Sequence, residues 1–275
     1  MVKEGANNQS RSRRLPLIFG VSGHRDLRAA DVPQLRWQLF GVFARFRAAY
    51  PHTPFQLLTP LAEGADRLAA EVALASEISL FVPLPMERKE YERDFETAES
   101  LAAFRALLGR AESHWKIPFR RKPENRTAQY AAVGEFIARS SHVLILLWDG
   151  TDNRKIGGTA WVKRRREHWV NATAHLSPSI DPIGYGPTIQ VVTPRASGRP
   201  PHPRPATIGE LPQSAEEFAL TLARHPSYRG EGNRRTRPPL YQLVYWAIDS
   251  FNAAIPNSGA LKKGRKRQSV TRSRL

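Results

Sequence analysis

The 275-residue sequence predicts an α/β fold: a Rossmann-like open parallel sheet of about five strands with helices on both faces, plus a helical C-terminal extension. Three observations predict it. Short apolar runs alternate with stretches of helical periodicity in the order β-α-β-α-β, which calls for a parallel sheet with right-handed crossovers. Several of those runs are apolar on both faces, as buried parallel strands are. Three strand-like runs end in small residues followed by polar ones, at the edge where open α/β sheets bind ligands.

The first strand covers residues 17–21, within the run LIFGVSGHRDL at 17–27. Gly20, Ser22 and Gly23 read as a tight turn that lets a ligand approach the backbone, and His24, Arg25 and Asp26 follow. Asp31 with Pro33 predicts a helix start, an Asx cap and an early proline. Leu35, Leu39, Val42, Phe43 and Phe46 follow at helical spacing, and Pro51 and Pro54 end the helix. Residues 55–59 are the second strand. In the run PLAEGADRLAAEVALA, Gly64 turns the chain and Asp66 stands where it can cap a helix through Leu68, Val72 and Leu74. Residues 78–82 form the third strand, closed by Pro83 and Pro85.

Residues 87–109 read as a charged amphipathic helix or helix pair, with Tyr91, Phe95, Leu101, Phe104 and Leu108 inward. Residues 110–126 read as basic and irregular. A helix over 129–139 leads to a fourth strand at 142–148, which ends in Asp149 and Gly150. Gly157, Gly158 and Thr159 open a further helix, and residues 188–193 form a fifth strand. The Pro- and Arg-rich stretch 194–205 reads as a linker or surface strap. Helical patterns recur at 213–224 and 238–254. In the second, Leu240, Leu243, Trp246, Ile248 and Phe251 are expected to pack on the domain or on a partner. The expected strand order is 3-2-1-4-5, with a ligand crevice between the first and fourth strands, where the order reverses.

Composition narrows the classes. With 41% hydrophobic residues the chain can bury a core, and no apolar run is long enough to span a bilayer. The first residues lack the apolar segment of a signal peptide, so a cytoplasmic location is expected. The absence of cysteine excludes disulfides, thiolate metal sites and a cysteine nucleophile. The net charge of +17 is uneven: residues 1–14 carry +3 and residues 257–275 carry +7 with no acid, leaving +7 for the remainder. Four regions are expected: a disordered basic tail (1–14), a Rossmann-like domain (15–195), a strap with a helical extension (196–256) and a second disordered basic tail (257–275). The C-terminal tail suits non-specific contact with nucleic acid or an anionic surface.

The three junctions carry the candidate chemistry. At the first, Gly20, Ser22, Gly23, His24 and Arg25 offer backbone amides and a guanidinium to a phosphate. At the second, Glu63, Gly64, Ala65, Asp66 and Arg67 open a helix whose free amides favour an anion, while Glu63 suits a ribose hydroxyl pair. At the third, Asp149 and Gly150 precede Gly157, Gly158 and Thr159, a second phosphate-ready helix start. No P-loop, GxGxxG fingerprint, GxSxG elbow or metal-ligand spacing is present, so neither a metal nor a resident cofactor is expected. No catalytic residue is assigned; Glu63 and His24 are the candidates were the chain an enzyme.

GVSGHRDL, PLAEGADRLAAE, the LPLP stretch with Tyr91, Asp94 and Phe95, YAAVGEFIARSSHVLILLWDG and GGTA together resemble the SLOG superfamily. That superfamily groups Smf/DprA proteins, Lonely-guy phosphoribohydrolases and nucleotide-sensing domains. The resemblance covers residues 15–195 and implies ligand-binding edges at Ser22–Arg25, Glu63–Asp66 and Gly157–Thr159. The Lonely-guy pattern PGGxGTxxE has no acid at the matching place here, where Lys163 falls. The resemblance therefore implies a sensor of a nucleotide-derived ligand (NAD-, ADP-ribose- or cyclic-nucleotide-like) in bacterial defence or stress signalling. The alternatives are a Lonely-guy-type nucleotide N-glycoside or phosphoribosyl hydrolase and a DprA-like single-stranded-DNA binder. A homo-oligomer is left open.

Overall fold

A computed structural model of the chain describes residues 14–118, 125–173, 186–197 and 240–255. Six strands form one sheet: β1 (Leu17–Gly23), β2 (Phe55–Leu58), β3 (Ser79–Leu84), β4 (Ser113–Lys116), β5 (Val143–Trp148) and β6 (Thr188–Val192). All pair in parallel, in the order β4-β3-β2-β1-β5-β6. The helices are α1 (Val32–Ala49), α2 (Ala65–Ala75), α3 (Arg88–Tyr91), α4 (Ala98–Gly109), α5 (Arg126–Ser140), α6 (Thr159–Thr173) and α7 (Leu240–Ala254). This is the expected Rossmann-like α/β architecture.

The alternation of β5 shows how the two layers are built. Val143, Ile145 and Leu147 join the core beneath α1, α2 and α4. Leu144, Leu146 and Trp148 face the other way, onto Val133 and Ile137 of α5 and Val162 of α6. A strand covered on both faces has no use for polar alternation, which is why β5 reads as a continuous apolar run. On the first face Phe19 packs edge to face with Phe43, Phe46 and Phe55 at centroid distances of 5.3, 5.1 and 5.3 Å, a geometry aromatic rings favour.

The structure departs from the sequence expectations in several places. Strand β4 lies within 110–126, expected to be irregular. It is a short edge strand whose side chains are mostly exposed, so it leaves no apolar pattern. The third strand runs on through Pro83, because past Phe81 β3 pairs only with β4 and a missing amide on the free side costs nothing. β1 runs through Gly23, so Gly20, Ser22 and Gly23 are strand residues rather than a turn.

Two expected caps are also absent. Asp31 makes no capping bond and instead accepts from Arg28 Nε at 2.6 Å. Gly64, not Asp66, occupies the cap position of α2. The helical extension α7 packs through Tyr245 and Asn252, with Asp249 beside them, and leaves Leu243, Trp246 and Phe251 outward. The pattern at 213–224, most of the strap and both tails lie outside the described residues. No described helix is long and apolar enough to cross a membrane.

Candidate functional site

The strand order reverses between β1 and β5, and their carboxyl ends open onto a cavity of about 430 Å³. That volume is within the range of small-molecule sites. Ser22, Gly23, His24, Arg25, Asp66, Gly157, Gly158 and Thr159 line it. The fold therefore brings the first and third junctions together, with Asp66 of the second.

Gly158 and Thr159 open α6. The first amides of a helix have no partner within it; the Gly158 amide donates to the Lys155 carbonyl at 3.4 Å, and Thr159 and Ala160, which follow it, stand with it on the cavity wall. Gly157 takes a positive φ of 77° to make this turn. A Cβ on Gly158 would meet nothing closer than the Lys155 carbonyl at 3.5 Å, so the protein itself does not demand glycine there. The preceding loop is held by side-chain turns: the Thr151 amide donates to Asp149 Oδ1 at 2.8 Å, Arg154 N–H to Asp152 at 2.8 Å and Lys155 N–H to Asn153 at 3.1 Å.

His24 is buried. Its Nε2 accepts from the Asp149 amide at 3.1 Å, which puts its proton on Nδ1. Burial and the charge of Arg195 hold the imidazole below its usual range. Its 3.3 Å approach to Asp149 Oδ2 is thus no ion pair at neutral pH. Asp149 itself does not line the cavity; its carboxylate accepts from Arg195 Nε at 3.1 Å. Burial opposes the Asp149 charge, but the Thr151 amide, His24 and Arg195 together hold its carboxyl below the ordinary value.

Arg195 follows β6 directly. It also lies 3.6 Å from Asp26, Ala196 N–H donates to the Asp26 carbonyl at 2.9 Å, and Ser197 donates to the Asp26 carboxylate. The start of the strap is thereby stitched onto the loop after β1.

The second junction serves the first. The Ala65 amide, first in α2, donates to the His24 carbonyl at 2.9 Å. Gly64, at φ 74°, leaves so little room that a Cβ would come within 2.2 Å of the Arg25 carbonyl. Those groups brace the β1 loop and do not line the cavity. Glu63 accepts from Ser100 of α4, and Ser100 also receives Arg67 Nη1 at 2.9 Å. Arg67 lies 4.5 Å over the Phe95 ring. Glu63, Gly64, Ala65, Arg67, Asp149 and Gly150 stand behind the cavity wall rather than on it. Gly20 lies deeper still: a Cβ there would fall 2.0 Å from Ser141 Oγ and 2.7 Å from Ile137. Its smallness lets α5 press on β1.

Asp66 is the buried acid on the wall. Its carboxylate accepts from the Ala62 amide, yet burial outweighs that bond and the nearby Arg25 and Arg67, pushing its carboxyl up to about 7. Tyr91, fully buried beside it, is raised above its ordinary value by burial and by Asp66. Among the wall residues that the sequence reading did not assign to the site are Arg195, Lys155, Tyr91 and Tyr130. Arg25 lies 5.4 Å over the Tyr130 ring. Lys155 and Arg195 carried a usable signal, being cations next to the third junction and the end of the last strand. The two tyrosines occupy helical inward positions, where they read as core.

Among the described residues, no group of His, Asp and Glu could hold a metal ion. No family model matches the chain, and no curated protein does. Among solved structures, DNA processing protein A (DprA) from Streptococcus pneumoniae is similar over 75% of this chain at 12% identity, with a TM-score of 0.42. The chain spans 56% of that protein.

Proposed function

We propose that the cavity binds a nucleotide-derived ligand. The observation that carries this reading is the convergence, on one cavity at the switch point, of the α6 amides with Arg25, Lys155 and Arg195. Free amides and cations suit phosphate oxygens. The apolar wall of Val133, Ile137 and Trp148 with the Tyr130 ring suits a base or sugar face. The resemblance of the junction motifs to SLOG nucleotide sensors supports the same reading and extends it to a role in defence or stress signalling.

A thermal-shift panel of AMP, NAD, ADP-ribose and cyclic nucleotides tests it. A ligand at a hundredfold its dissociation constant adds roughly 2.7 kcal/mol of stability, so a binder raises the melting temperature and a calorimetric titration then gives its affinity. No shift with any member of the panel or with inorganic phosphate ends the proposal.

One observation favours a second reading, a nucleotide N-glycoside hydrolase. Asp66, not Glu63, is the acid on the cavity wall, and it holds its proton near neutral pH, as a general acid for a leaving base requires. Steady release of free base from a nucleotide by the wild type, lost in Asp66→Asn, would establish it. Binding without turnover leaves the sensor reading standing.

A further inference from the structure

We propose that the end of the molecule opposite the cavity is a docking surface for an anionic lipid bilayer. Helix α7 closes the amino-terminal edge of the sheet. Tyr245 Oη donates to the His142 carbonyl just before β5 at 2.9 Å. Asn252 exchanges hydrogen bonds with the Leu15 backbone just before β1, at 2.8 and 2.9 Å. Asp249 accepts from His52 N–H and Thr53 Oγ1, just before β2, at 2.9 and 2.7 Å.

Tyr245, Asp249 and Asn252 of α7 thus face the protein, with Val244 packed against the core beside them. Leu243, Trp246, Ala247, Phe251 and Ala254, with Ser250 among them, form one exposed stripe at helical spacing. Leu243 is 46% exposed, Trp246 46% and Phe251 53%, and Leu15, bonded to Asn252, extends the patch at 50%. The sole charged residue of the helix, Asp249, is turned inward.

The flanking sequence gives the partner its chemistry. Leu15 and Asn252 are bonded, so both ends of the described fold meet at this patch. Immediately before it stand Arg11, Arg13 and Arg14; after it, residues 257–275 bring seven Lys and Arg with no acid. These stretches together hold +10 of the net +17. An uncharged stripe of Leu, Trp and Phe bordered by cations is the composition of an interfacial helix that inserts among anionic headgroups. A second copy would bring like charge against like. A nucleic acid would call for cations within the stripe, and none is there.

The experiment uses the full chain with vesicles of phosphatidylcholine alone and of an equimolar phosphatidylcholine–phosphatidylglycerol mixture. Co-sedimentation is expected with the anionic vesicles only, weakening as salt rises. Trp246→Gln with Phe251→Gln should lower the partition coefficient about tenfold or more while the circular dichroism spectrum is kept. Leu243→Gln, a milder change on the same stripe, should lower it in the same direction. A blue shift of tryptophan emission on vesicle addition, reduced in Trp246→Phe, would support insertion. The proposal fails if anionic vesicles do not retain the protein, or if the stripe substitutions leave retention unchanged. It also fails if those substitutions instead abolish a dimer, or binding to a single-stranded oligonucleotide, in a protein that ignores vesicles.

Discussion

At the scale of single residues, two glycines in neighbouring motifs do opposite work. Gly20 is required by the protein, since any Cβ would collide with Ser141 and Ile137. Gly158 has room for one. Gly20→Ala should therefore destabilise by about 1–3 kcal/mol, as overpacking does, which a thermal melt would read. Gly158→Val should leave the melt nearly unchanged and abolish nucleotide binding in a calorimetric titration, because its side chain would fill the approach to the α6 amides. Unchanged affinity would remove Gly158 from the site. Two buried titratable groups act on stability with opposite sign. Asp66 holds its proton up to about 7 when folded against an ordinary 3.8, so its contribution is full below the lower value and is lost as pH rises through the upper one. His142, whose Nδ1 accepts the Ile18 amide at 2.9 Å, is pushed by burial and Arg166 from 6.5 to about 4. Its contribution is full above 6.5 and is lost as pH falls through 4. The two slopes oppose each other over nearly the same window. Asp66→Asn should be more stable than wild type above pH 7, by on the order of a few kcal/mol, and should show the bare His142 slope below it. His142→Asn should show the reverse slope. Melting temperatures of the three proteins across pH 4 to 8 would decide; parallel profiles would refute the assignment.

At the scale of elements, the strap after β6 controls the chemistry of the loop after β1. Arg195 reaches both Asp149 and Asp26, and its charge helps hold His24 neutral. Arg195→Ala should raise the His24 pKa, because the repelling guanidinium goes and the attracting Asp149 stays. Titration of the His24 ring signals by NMR would show it, and a downward or absent shift would contradict the arrangement. The place of Arg195 at the end of the last strand was legible, but its pairing with Asp149 and Asp26 was not, since both acids lie far back along the chain. What was legible followed from local pattern: the helices with apolar faces leave a repeat of 3.6 residues, the five strands read as short apolar runs between them, and their order follows from the β-α-β alternation. What was not legible depended on a partner far along the chain. Strand β4 is recognisable only by lying beside β3. Asp66 is a wall residue and not a cap because Gly64 takes the cap position. Glu63 turns to Ser100, thirty-seven positions away. For α7 the apolar period predicts that Leu240, Leu243, Trp246, Ile248 and Phe251 pack on the domain or on a partner. In the structure Val244 and Tyr245 join the core, Asp249 and Asn252 bond Thr53 and the backbone at the sheet edge, and Leu243, Trp246 and Phe251 stay outward.

At the scale of the whole molecule, the two ends of the sheet are chemically distinct. The carboxyl end holds the cavity, lined by cations and free amides. The amino end is closed by α7, and the two basic stretches precede and follow in sequence the residues that meet there. The strands between them, buried except at the edge strand β4, pair in parallel without interruption across the switch point, so a change at one end has no direct contact with the other. Removing residues 257–275 takes away seven positive charges and no acid. The segment has only Leu261, Val270 and Leu275 as larger apolar residues, besides Ala260, so it can contribute little burial. The truncated protein is therefore expected to melt where the full chain melts and to bind its nucleotide with the same affinity. Its contact with anionic surfaces should weaken and depend less on salt. Differential scanning calorimetry, a nucleotide titration and vesicle co-sedimentation on the same truncated protein separate these outcomes. A large fall in melting temperature would make the segment part of the fold. A loss of nucleotide affinity with the melt unchanged would mean that it reaches the cavity, and the division of labour between the two ends would have to be abandoned.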